Sequence, residues 1–86
     1  MLTGTSVISA AQGLHARPAG ELVKLAKSFT GSRITLGTDI KSVNAVSMLS
    51  LLSLGLKCGT VVNVSVEGGD EAAALGAIID FLNSFD

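Results

Sequence analysis

The single proline of the chain, Pro18, constrains the fold more than any other residue, because it stands at the front of a long apolar rhythm. Ala19, Leu22, Val23, Ala26 and Phe29 recur at spacings of three and four, the signature of a helix with one buried side. Glu21, Lys24, Lys27 and Ser28 fall on the opposite, wet side. A proline well inside such a helix would remove a backbone hydrogen bond and drive its ring into the preceding turn, whereas the first turn tolerates it. The helix therefore begins at about His15 to Arg17, with Gln12-Gly13 breaking the chain ahead of it. The only histidine of the sequence is thereby placed at a helix start.

The remaining segments read in the same way. Thr3 to Ala10 is rich in Thr, Val, Ile and Ser and suits a strand, although its alternation is imperfect. After Gly31-Ser32, Arg33 to Leu36 alternates with Ile34 and Leu36 inward, and Lys41 to Asn44 can pair back through the turn at Gly37-Thr-Asp. Ser47 offers a capping oxygen to a short helix over Met48 to Leu54, which Gly55 closes. Thr60 to Glu67 sets Val62, Val64 and Val66 on one face of a strand. Gly68-Gly69 turns the chain, and Asp70 can cap a last helix with Glu71 in its first turn and a stripe of Ala74, Leu75, Ile78, Leu82 and Phe85. The order is βαββαβα. Four strands covered on one face by three helices make an α+β, two-layer sandwich with its other face open to solvent, although the pattern does not fix the order of strands in the sheet.

Size and composition narrow what this scaffold can do. Eighty-six residues allow one domain, 1–86, in which every functional group shares one core. Six Lys and Arg against seven Asp and Glu give no broad field for nucleic acid or an anionic membrane, and the absence of Trp and Tyr argues against ring-stacking recognition. One His and one Cys are too few for a metal site built on those ligands, and no cofactor pocket is indicated. Lone Cys58 cannot form an internal disulfide, and its place before Gly59 reads as a turn with a buried or inert thiol. The start of the chain lacks an export signal, and the apolar stretch from Met48 to Leu56 is interrupted and falls short of the about 20 residues of a membrane span. A soluble cytoplasmic protein is the expectation.

Chemistry concentrates in Gly13-Leu14-His15-Ala16-Arg17-Pro18. An imidazole at a helix start lies beside backbone N–H groups with no partner inside the helix and beside the positive end of its dipole, which suits an anion. Its unprotonated nitrogen is a nucleophile that can attack phosphorus and become a phosphoramidate. Arg17 supplies a permanently charged fork for phosphoryl oxygens, and Pro18 starts the helix stiffly. A histidine here can also do no more than cap or titrate. A hydrolytic triad fits poorly, since no Gly-x-Ser-x-Gly elbow occurs.

The run Gly-Leu-His15-Ala16-Arg17-Pro18-Ala is similar to the active-site sequence of HPr, the histidine-containing phosphocarrier of the bacterial sugar phosphotransferase system. The resemblance extends through Leu22-Val23, Val43-Asn44, Ser47, Ser53-Leu54-Gly55-Leu56, Gly59 and Gly69-Asp70-Glu71, nearly the whole chain. It implies the open-faced β-sandwich, and a carrier more than a free-standing enzyme. Enzyme I would pass phosphate from phosphoenolpyruvate to Nδ1 of His15, Arg17 would hold the phosphoryl oxygens with Ala16 and Pro18 in support, and enzyme IIA domains would take the group off. It also implies that Ser47 is a regulatory phosphorylation site for a serine kinase and phosphorylase, through which a transcriptional regulator could be engaged. The alternative function, a regulatory binding module controlled through Ser47, rests on the same residue. Departures from the family pattern are Gln12 where Asn or Ser is usual, Val46 where Lys is common in regulated members, Gly20, and the hairpin turn Gly-Thr-Asp-Ile-Lys.

A docking face is expected on the short helix. Met48, Leu49 and Leu52 share one side of it, while Leu51 and Leu54 point to the core, and so short a helix cannot bury every side. By resemblance, this helix and the His15 helix form one surface for enzyme I and enzyme IIA, with Gly20, Lys24 and Lys27 contributing from the latter. A monomer is the expectation for a carrier that must visit several partners in turn.

Overall fold

Alternation within the strands decides the layers. In the computed structural model, which describes residues 1–85, the chain runs through β1 (Leu2–Val7), α1 (Ala16–Ser28), β2 (Arg33–Gly37), β3 (Ser42–Asn44), α2 (Met48–Ser53), β4 (Val61–Glu67) and α3 (Glu71–Ser84). The strands form one antiparallel sheet in the order β1-β4-β2-β3. β4 is central, with Val66 opposite Leu2 on one side and Ile34 on the other. Val62, Val64, Val66, Ile34 and Leu36 turn to one face and are buried, while Val61, Asn63, Glu67 and Arg33 turn outward. Leu22 and Ala26 of α1, Leu51 of α2, and Ala74, Ile78 and Leu82 of α3 complete the same core. The result is the two-layer α+β sandwich with its helices on one face.

β1 differs most from expectation. It ends at Val7 rather than Ala10, because β4 begins at Val61 and Gly59, at φ +91°, turns the partner chain away. Ile8 stays tied to that turn: its N–H donates to Thr60 O at 2.9 Å and its carbonyl accepts from Gly59 N at 2.7 Å. The inward positions of β1 are Gly4 and Ser6, not large apolar residues. A Cβ on Gly4 would lie 2.6 Å from Ile79 Cδ1, the movable end of a side chain on α3, so the glycine lets Ile79 pack directly over the strand. Ser6 is buried and donates its hydroxyl proton to Asn83 Oδ1 on α3, which removes the cost of a polar group in the core.

Smaller differences have local causes. β3 starts at Ser42 rather than Lys41, whose carbonyl accepts from Thr38 N at 2.8 Å to close the hairpin. Val23, Leu75 and Phe85 are only partly buried at the edge of the core. α2 ends one residue before Leu54, with Gly55 at φ +63° closing it as expected.

At α3 the Asp70 side chain accepts from Ala73 N at 3.2 Å. Glu71 Oε2 accepts from Gly68 N at 2.8 Å, and Oε1 lies 3.1 Å from the Met1 ammonium. The Gly68 hydrogen bond, followed by the ammonium, holds the Glu71 carboxyl below its ordinary range.

Candidate functional site

The loop ahead of α1 is fixed by backbone. Gly13 adopts φ +67° and lies so close to the Leu56 carbonyl that a Cβ would collide with it, so no other residue fits there without displacement. Gly13 N donates to Ala10 O at 2.9 Å, and Leu14 N donates to Leu56 O at 2.8 Å while the Leu14 side chain is buried. These contacts deliver His15 to the N-cap of α1 in extended conformation, φ −110° and ψ −172°. Its carbonyl accepts from Ala19 N at 2.9 Å, which begins the helix.

The imidazole makes no capping hydrogen bond. Pro18 occupies the third helical position, the one whose N–H a capping side chain commonly takes, and it has no N–H to offer. The donors left at the front of the helix are the N–H groups of Ala16 and Arg17, which have no hydrogen-bond partner among the described residues. Partnerless amides beside the positive end of a helix dipole, next to a guanidinium, favour an anion on the imidazole.

His15 is half-exposed and opens on a cleft of about 530 Å³, lined by His15, Arg17, Pro18, Glu21, Phe81, Ser84 and Phe85. Its two walls differ in character. α1 contributes the imidazole, the guanidinium and the Glu21 carboxylate, and α3 contributes two phenyl rings stacked with centroids 5.5 Å apart and planes 8° from parallel. Three of the sequence-predicted residues, His15, Arg17 and Pro18, are therefore brought together. Ala16 is exposed and does not line the cleft.

Phe81, Ser84 and Phe85 carry no signal in the motif around His15, because they reach it across the fold. Phe85, expected in the buried stripe of α3, stands half-buried beside the cleft instead. Glu21 was legible only as part of the wet face of α1; its i, i+4 relation to Arg17 is the signal that places it here.

Ser47 lies outside this cleft, at the N-cap of α2. Its Oγ accepts from Ser50 N at 3.4 Å, its carbonyl accepts from Leu51 N at 3.0 Å, and the residue is half-exposed. On α2, Leu49 is 81% exposed, with Met48 and Leu52 at 38% and 37%, while Leu51 is fully buried and Leu54 packs against the core. α1 packs against α2. On α1, Lys24 and Lys27 are exposed, and Gly20 is half-exposed with open space where a Cβ would stand. Cys58 stands in the expected turn but is not buried. Its turn leaves it exposed, with Sγ 3.8 Å from Ser9 O.

A four-stranded antiparallel sheet under three helices, with a histidine and an arginine at the first helix start, defines the class of small phosphocarrier domains. The chain belongs to the HPr family of the phosphotransferase system: the family model for the PTS HPr component phosphorylation site matches residues 2–84. The phosphocarrier protein HPr of Buchnera aphidicola is 47% identical over 68 residues, 79% of this chain and 79% of that protein. The crystal structure of HPr-C-His from Thermoanaerobacter tengcongensis superposes with a TM-score of 0.89 at 43% identity, covering 95% of this chain and 91% of the other. A crystal structure of an HPr dimer from the same organism gives a TM-score of 0.71 at 45% identity over 85% of this chain and 83% of that one. Phosphohistidine chemistry and a part in sugar transport follow from the family. No described helix is long and apolar enough to cross a membrane.

Proposed function

We propose that His15 accepts a phosphoryl group from phosphorylated enzyme I, with phosphoenolpyruvate as its source, and donates it to enzyme IIA domains for sugar uptake. The observation that carries this reading is a bare imidazole at a helix start whose first amides are unpartnered, with a guanidinium two residues on. In the accepting step an imidazole lone pair forms the P–N bond while the bond from phosphorus to the donor breaks, its electron pair leaving with the donor. Donation runs the same exchange in the other direction. Arg17 and the amides of Ala16 and Arg17 neutralise charge on the phosphoryl oxygens, and Pro18 holds the turn in which they sit. The partner completes the reacting site, so the chain acts as a one-domain carrier over residues 1–86, not as a separate enzyme.

Met48, Leu49 and Leu52 form the apolar part of the docking surface, and Gly20, Lys24 and Lys27 continue it on α1. The exposure of all three apolar side chains supports this, since an unburied apolar cluster suits a partner. Phosphorylation of Ser47 by a serine kinase would set about −1.5 to −2 charges at the start of α2, where the dipole tolerates them and an acidic partner would not. The carrier works in the cytoplasm as a monomer.

The test is the intact mass of wild type and His15→Ala after incubation with phosphoenolpyruvate and cognate enzyme I. One acid-labile phosphate on wild type and none on the variant is the expected result. Loading of His15→Ala, or none on wild type, would refute the carrier reading, and the second outcome would favour the Ser47-controlled binding module.

A further inference from the structure

The sequence places a carboxylate where a dianion is to be carried. Glu21 lines the cleft together with His15 and Arg17, and it is the only acidic side chain among the described lining residues. It stands four residues after Arg17 on α1, so the two side chains project from neighbouring points of the same helix face. Opposite them, the stacked rings of Phe81 and Phe85 occupy space that water would otherwise fill. Glu21 and Arg17 are themselves exposed, so the carboxylate acts on its neighbours as a surface charge whose effect is largest at low ionic strength. Among the described residues neither Arg17 nor Glu21 is held in an ion pair, with each other or with any other group.

Resting on the carrier reading, we propose that Glu21 is a positioning residue that keeps phosphohistidine at position 15 ready to leave. When His15 is bare, the Glu21 carboxylate, though outside ion-pair distance of Arg17, offsets part of the guanidinium charge at the mouth of the cleft. When His15 is loaded, Arg17 turns to the phosphoryl oxygens, and Glu21 is left as an uncompensated negative charge beside a dianion. The loaded state is raised relative to the bare one, and the phosphoryl group is passed on more readily. A carrier must bind its cargo loosely enough to give it up, and a carboxylate beside the phosphoryl site is a direct way to set that balance.

The test compares wild type, Glu21→Gln and Glu21→Asp at equilibrium, where differences in docking rate cancel. Each is incubated with phosphoenolpyruvate-charged cognate enzyme I, and the partition of phosphoryl between enzyme I and carrier is read by intact mass. In parallel, each is loaded with phosphoramidate at fixed ammonium concentration. There the imidazole lone pair forms the new P–N bond and ammonia leaves with the electron pair of the old one, so no partner protein is needed. Glu21→Gln is expected to shift both equilibria toward the loaded carrier by about three- to tenfold at low salt, and by less than twofold at about 1 M salt, where screening acts within about 3 Å. Glu21→Asp keeps the charge and is expected to stay within twofold of wild type.

A salt-independent shift would mark a structural effect and overturn the proposal, as would a Glu21→Gln partition equal to that of wild type. Failure of enzyme I to load wild type would overturn the carrier reading instead, and the phosphoramidate equilibrium would then decide the role of Glu21 alone.

Discussion

At the start of α2 the Ser47 side chain takes the Ser50 N–H, and at the start of α3 Asp70 takes the Ala73 N–H. At the start of α1 the same position is Pro18, which has no N–H to be taken, and the residue at the cap leaves its side chain free. Two helices thus commit their cap residue to stability, and one leaves it free. A cap side chain is released from structural duty when the backbone removes the donor it would have served. The missing donor at Pro18 also explains why one stretch of sequence can hold a histidine and an arginine two residues apart without either being drawn into the fold.

The contrast can be broken first on α2 itself, whose two sides have opposite duties. Leu51 is fully buried, and Leu51→Ala should cost about 2–5 kcal/mol of folding free energy in denaturant titration. Leu49, on the exposed side, should change stability by no more than about 0.5 kcal/mol when replaced by alanine. Its loss should show instead as weaker binding to enzyme I by titration calorimetry. Next comes charge at the open helix start. Arg17→Ala should slow loading from enzyme I about 100-fold in rapid-quench experiments, while Ser47→Ala should leave the loading rate within twofold.

Stability should respond in the reverse sense. Ser47→Ala removes a cap and should cost about 1 kcal/mol, whereas His15→Ala removes no hydrogen bond and should stay within about 0.5 kcal/mol, both read by chemical denaturation. A costly His15→Ala would show that the imidazole does structural work and would end the contrast. The smallest effect is expected at α3. The folded-state pKa of Glu71 is depressed, so its carboxylate contributes stability above the ordinary glutamate range, and that contribution fades as pH falls through the lowered value. Melting curves of wild type and Glu71→Gln should therefore differ at pH 7 and converge in acid.

Those elements whose cause is local could be read from the sequence. The valines of β4, the stripe of α1 and the caps Ser47 and Asp70 all declare themselves within a few residues, and the order βαββαβα follows from them. β1 could not be read as well, because Gly4 and Ser6 make sense only against Ile79 and Asn83 of α3, more than 70 residues on. The strand order is hidden for the same reason, since it depends on how strands meet and not on what each contains. At the site, the half that lies on one helix turn was legible, and the phenyl wall was not: it comes from the far end of α3, where Phe85 looked like one more core residue. Cys58 shows a further limit, since an apolar residue type in a turn takes its exposure from the turn.

The most direct test of the open helix start is a comparison of backbone amide chemical shifts in the bare and loaded carrier, by ¹H–¹⁵N spectroscopy. If the unpartnered amides of α1 receive the phosphoryl oxygens, the N–H resonances of Ala16 and Arg17 move furthest on loading, while Ser50 and Ala73, already capped, stay in place. Unmoved Ala16 and Arg17 amides in a fully phosphorylated carrier would contradict the account.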